Sequence, residues 1–300
     1  MNNSFLLIVI FLLSGFCSYG KDISIHIAQY PEKGRVILGL LRGHRTHFLD
    51  STRVDDEGGA HFRLPEAAPE GVYRLLLMDD RFIEIIAGDE AVDIHLDYSA
   101  ATLTDSLVIH ASSSTRRYHD VLGIEQNYSL RLAYLSWILR QYHDHHLNPD
   151  FEEAVAAEAA KTDSLRRVRI AAVVSESPHS FLARWLIASY TPPPPYSSER
   201  SLPYGSERAF LQDHFFDAVD FADTLLLNST FFSNKFEYFL NHLAGPDAAG
   251  QRKAIDLILQ KSRSSKSLHI FAAEFLHYYY SRESKPECLH YLTRHPLYHE

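Results

Sequence analysis

The chain has 300 residues, 46% of them hydrophobic and 22% charged, a composition that excludes a disordered or fibrous protein and allows one large domain or two moderate ones. Its formal charge of −9 argues against a nucleic-acid partner, and no lysine and arginine cluster overrides it. Only two cysteines, Cys17 and Cys288, are present, so there is no Cys-x-x-Cys and no disulfide framework.

Phe5 to Phe16 is an almost unbroken apolar run. Its roughly a dozen residues suit the h-region of a secretory signal and fall short of the about 20 that span a bilayer. Ser18 and Gly20 place small residues at the −3 and −1 sites of a cleavage that leaves Lys21 at the mature N-terminus. Residues 1–20 are therefore expected to be a signal peptide, the protein exported, and any membrane association confined to this segment. The bulky Phe16 before Cys17 is a poor fit to a lipid-attachment site. Cleavage discards Cys17, and Cys288 in the run Glu287-Cys288-Leu289-His290 is expected to be a buried helical thiol.

From Ile23 to His110 the sequence reads as eight short strands. Ile23–Ile27 alternates apolar and polar, and Arg35–Leu41 is bounded by Gly34 and Gly43. His47–Val54 precedes the turn Asp55–Gly59, and Ala60–Leu64 stops at Pro65. Val72–Leu77 and Arg81–Ala87 flank the Asp79-Asp80 turn, followed by Ala91–Leu96 and Leu107–His110. This spacing predicts an antiparallel β-sandwich or open barrel over residues 21–111. There is no βαβ alternation, which excludes a doubly wound nucleotide fold.

Between Ala111 and Ser114 the pattern becomes helical, so the fold class is α+β, with an all-α domain over residues 112–300. Ser112–Thr115 offers N-caps for a helix carrying Tyr118, Val121, Leu122, Leu132 and Leu135 and fraying at His143–Pro149. Asp150 is the expected cap of the next helix, which reaches Val174 before Ser177-Pro178. Ser180–Tyr190 forms a shorter helix around Trp185. Residues 191–196 contain four consecutive prolines and form a stiff connection. Helices resume near Ser206–Asp217, Ser229–Leu243, Asp247–Arg263, Ser267–Tyr280 and Pro286–Arg294.

Candidate chemistry is sparse. His143-Asp144-His145-His146 is the one dense ligand-type cluster. His143, Asp144 and His146 are its candidate metal ligands, although a site would need a further ligand from elsewhere. In a chain with 18 histidines such a cluster also arises by chance, at a helix end that favours His. Gly-x-Ser-x-Gly is absent. No catalytic or cofactor-binding residue is assigned, and no cofactor is expected. Asp55-Asp56, Asp79-Asp80 and Glu152-Glu153 fit turns and helix starts, and Arg166-Arg167-Val168-Arg169 fits a solvated helix face. Phe231-Phe232, Phe236, Tyr238-Phe239 and Tyr278-Tyr279-Tyr280 are expected in the helical core.

A set of looser patterns runs along nearly the whole mature chain. It comprises the Gly39 strand, Phe48-Leu49-Asp50-Ser51, the Asp55–Gly59 turn leading to Phe62, Gly71-Val72-Tyr73-Arg74-Leu75, and Phe82 to Glu90. Further along come Ile109 to Tyr118, Ser177 to Ala183, and Phe216-Asp217 through Asp223–Leu226 to Asn234-Lys235-Phe236. On these residues the chain resembles the N-terminal β domain of unknown function and helical linker domain of bacterial envelope thioredoxin-like proteins. In that family the helical region is followed by a thioredoxin fold with Cys-x-x-Cys, which this chain does not carry. The resemblance implies the periplasm or cell envelope of a Gram-negative bacterium and transfers no catalytic residue. Two functions stay open: a non-catalytic exported module that binds or positions an unknown protein or envelope ligand, and the front portion of a thiol–disulfide oxidoreductase.

Overall fold

The computed structural model describes residues 21–31, 34–88, 90–145, 148–191 and 207–299. Its first eight elements are strands: β1 (Lys21–Ala28), β2 (Arg35–Arg42), β3 (Arg45–Arg53), β4 (Gly59–Leu64), β5 (Gly71–Leu76), β6 (Phe82–Ala87), β7 (Val92–Asp97) and β8 (Val108–Ala111). They form two four-stranded sheets, an outer one in the order β4-β1-β7-β8 and an inner one in the order β3-β2-β5-β6. Ile23, Ile25 and Ile27 of β1 pack with Phe62, Ile94, Val36, Leu38, Tyr73, Leu75 and Ile85 in one sandwich core.

The strand pattern expected from the sequence is thus present, with one departure. β1 pairs with β7 in parallel, Ile23 opposite Val92 and Ile27 opposite Leu96. After β1 the chain passes through β2 and β3 of the inner sheet, returns antiparallel at β4 on one side of β1, and reaches its other side only at β7, so no hairpin fixes the relative direction of β1 and β7. At the β4 turn the Asp55 carboxylate accepts the Glu57 and Gly59 amides at 3.0 and 2.7 Å, and Gly58 takes φ 88°.

Eight helices follow among the described residues. α1 (Ser113–His145) and α2 (Pro149–Glu176) pack along each other, and α3 (Phe181–Ser189) returns toward the sheet. Then come α4 (Glu207–His214), α5 (Phe231–Tyr238, prolonged by a π turn to Leu243), α6 (Ala248–Ser262), α7 (Lys266–Arg282) and α8 (Pro286–Arg294). The α2 cap is Asn148, whose Oδ1 accepts the Asp150 amide at 3.1 Å, and not Asp150 itself. Pro149 takes the first helical position, where its missing N–H costs nothing, and moves the cap back to Asn148.

The helical layer lies on the inner sheet and shares its core. Leu41, Val72 and Ile86 point away from the sandwich interior and are buried with Phe181, Phe232, Phe236 and Phe275. Backbone bonds lock this seam: the Val72 amide donates to Asn228 O at 2.8 Å and the Gly43 amide to Ser229 O at 2.9 Å. Gly71 is required here, because a Cβ would stand 2.4 Å from that of Asn228. Thr115 Oγ1 accepts from Ile86 N at 3.2 Å and donates to Ile86 O at 3.0 Å.

Two glutamates from β loops cap helices across the seam. Glu70 accepts the Phe181 amide of α3 at 3.1 Å. Glu90 accepts the Ser113 and Ser114 amides of α1 at 3.1 and 2.7 Å and the Ser112 hydroxyl at 3.0 Å. Burial opposes ionisation of Glu90, but these hydrogen bonds outweigh it and hold the carboxyl below its ordinary value. A depressed folded-state value adds stability above the ordinary carboxylate range, and that stability is lost as pH falls through the depressed value. Glu90→Gln is therefore expected to cost about 1–2 kcal/mol in urea unfolding near neutral pH. The gap to the parent should close as the pH drops below the Glu90 titration, and equal stability at neutral pH would contradict the capping role.

Candidate ligand cleft

The hairpin joining β2 to β3 reaches past the sheet and rests on the helices. Gly43 at its turn has φ 60°, and a Cβ there would lie 2.5 Å from Ser233 Oγ and 2.6 Å from the Phe271 ring. Only glycine meets both demands, the left-handed backbone and the close approach. Between this hairpin and α7 lies a cleft of about 480 Å³, within the size range of ligand pockets.

One wall carries Arg42, His44, Arg45 and His47; the other carries Ile270, Phe271, Glu274, Phe275 and Tyr278, with Ser233 between them. Ile270, Glu274 and Tyr278 follow at intervals of four on α7 and so share a face. Ile270 and Tyr278 are 44% and 50% exposed, whereas Phe275 is buried. Glu237 accepts Arg282 at 2.7 Å and meets His44 at 3.3 Å. Arg42 and Arg45 make no ion pair among the described residues, so the cleft is basic within a chain of formal charge −9. Ser233 Oγ is buried and has no hydrogen-bond partner.

The residues singled out from the sequence lie elsewhere. His143, Asp144 and His146 fall outside the residues whose side chains are described, and among the described residues no group of three His, Cys, Asp or Glu could hold a metal ion. Cys288 is buried in α8, and burial pushes its thiol pKa up. Arg166 pairs with Glu125 at 2.9 Å and Arg167 with Asp163 at 3.1 Å, which accounts for that basic run. Of the expected core aromatics, Phe231, Phe232, Phe236, Phe239, Tyr279 and Tyr280 are buried. Tyr238 and Tyr278 are not: consecutive residues on a helix point about 100° apart, so a run of aromatics cannot all face inward.

A second cavity of about 470 Å³ at the seam contains Glu70, Glu90 and Arg117. Its charged groups are engaged: both glutamates cap helices, and Arg117 meets Glu176 at 3.0 Å and Ser177 Oγ at 2.8 Å. Lys235 is buried over the Phe215 ring and bonded to Thr191 Oγ1 at 3.1 Å, and desolvation pushes its ammonium pKa down to about 8. Neither set offers a free polar group to a ligand as the basic hairpin does. The hairpin did leave a signal in the sequence, the run Arg42-Gly43-His44-Arg45-Thr46-His47 with no acid in it.

The orphan hydroxyl gives a direct test of the packing beneath the cleft. Replacing a buried, unpartnered polar group on a helix by Ala is expected to raise stability, by about 1 kcal/mol for Ser233→Ala in urea unfolding. A loss of similar size would show that the hydroxyl is bonded in solution.

No curated protein matches the chain. A domain of unknown function, DUF5106, matches residues 204–292, from just before α4 into α8. That stretch supplies the helical wall of the cleft, and the β2–β3 hairpin supplies the other.

Proposed function

We propose that the protein is a non-catalytic, exported module of the bacterial cell envelope that binds or positions a partner. The observation that carries this reading is the basic cleft: two arginines that make no ion pair among the described residues face exposed Ile270 and Tyr278, which flank Glu274 on α7, where sheet and helices meet. Such a combination suits recognition, because the cations orient a ligand and the apolar wall holds it. The titratable groups at the seam are occupied in holding helices in place.

Export is supported by the apolar run Phe5–Phe16 and the small residues Ser18 and Gly20 ahead of Lys21. β1 starts at Lys21, the residue left by cleavage after Gly20, and Lys21 Nζ donates to Ala68 O at 2.8 Å. Kinship with the front region of envelope thioredoxin-like proteins is supported by the order of β-sandwich and helical layer, and the DUF5106 match is compatible with it.

In that family thiol–disulfide exchange needs two thiols acting in turn. Here Cys288 is the one described cysteine, and it is buried with a raised pKa. In an insulin-reduction assay the purified chain is expected to reduce no faster than the dithiol reductant alone. Turnover by this chain would overturn the non-catalytic reading and favour the oxidoreductase one.

A further inference from the structure

We infer that the cleft between the β2–β3 hairpin and α7 takes an acidic, extended segment of a partner protein. Its carboxylates would meet Arg42 and Arg45, and an apolar side chain would rest on Ile270 and Tyr278. This rests on the reading of the chain as a binding module and names the chemistry of its ligand.

Charge is the first argument. Arg42 and Arg45 are register partners across the hairpin, directly opposite one another. Like charges so placed repel and destabilise a strand pair, and neither arginine makes an ion pair among the described residues. The nearby Glu237 is held by Arg282 and His44. Glu274 on the facing wall makes no ion pair with either arginine. A carboxylate entering the cleft removes this repulsion and gains a planar guanidinium partner on each side.

The shape of the cleft favours an extended segment. β3 is an edge strand, bonded only to β2, and most of its nine residues are exposed. Arg45 and His47 lead from the cleft straight onto that edge, whose outward main-chain groups can bond an added strand. The register between β2 and β3 slips at Leu38/Gly39, where Leu49 is the extra residue. This bulge limits a regular added strand to the end of β3 beside the cleft. A free small anion would use the arginines alone; an extended peptide uses the arginines, the edge and the apolar face together.

The test uses the full chain and fluorescence anisotropy with a labelled peptide of repeating Glu-Thr-Phe-Glu. A matched Lys-Thr-Phe-Lys peptide and unlabelled glutarate serve as controls. The acidic peptide is expected to bind, more weakly at high salt, and the basic one not at all. Arg42→Ala with Arg45→Ala should weaken binding at least about tenfold with no drop in the melting temperature, since both side chains are exposed and their removal relieves the repulsion between them. Equal binding of the basic peptide, no loss in the double variant, or no binding of the acidic peptide would overturn the inference. Displacement by glutarate at concentrations equal to those of unlabelled peptide would also overturn it, as the mark of a small-anion site. Failure of the functional reading would show separately, as insulin turnover.

Discussion

The inner sheet carries apolar side chains on both faces, and the architecture follows from the need to cover both. One face meets the outer sheet through Val36, Leu38, Tyr73, Leu75 and Ile85. The other carries Leu41, Val72 and Ile86, which only the helical layer buries. Burying a side chain of this size is worth about 1.5–3 kcal/mol. Exposing all three would remove a large part of the about 5–15 kcal/mol by which domains are stable. The sandwich therefore depends on the helices that follow it, and the seam carries backbone bonds and carboxylate caps of the kind found within a single core.

The cleft is a consequence of where that cover ends. The β2–β3 hairpin runs beyond the sheet, and Gly43 allows its turn to rest on Ser233 and Phe271. Leu41 is still inside the shared core, while Arg42 is already exposed. The basic side chains thus stand at the rim of a rigid junction, with α7 as the opposite wall. A recognition surface built this way takes one wall from the β part and the other from the DUF5106-matched region. It exists only while the two are packed together.

Much of the fold was legible because its signals are local. Alternation in Ile23–Ile27, the Asp55–Gly59 turn and the short helix around Trp185 each depend on a few neighbouring residues, and each is where the sequence placed it. The parallel β1–β7 pairing was not legible, since strands far apart in sequence carry no mark of their relative direction. Nothing local in the sequence shows that Glu70 and Glu90 cap helices 111 and 24 residues away. The cleft was half legible. The Arg42–His47 run could have been noticed as basic in an acidic chain, but its partner wall on α7 comes from tertiary packing alone.

The central claim is that sheet and helices share one cooperative core, and native-state hydrogen exchange tests it most directly. The amides of Val72 and Gly43 donate across the seam to Asn228 and Ser229, and those of Ser114 and Phe181 to Glu90 and Glu70. All four should exchange with the same free energy as the amides bonded between β5 and β6 in the inner sheet, that of global unfolding. If the seam amides instead exchange through a cheaper opening while β5 and β6 stay protected, the sandwich stands without its helical cover and the account fails.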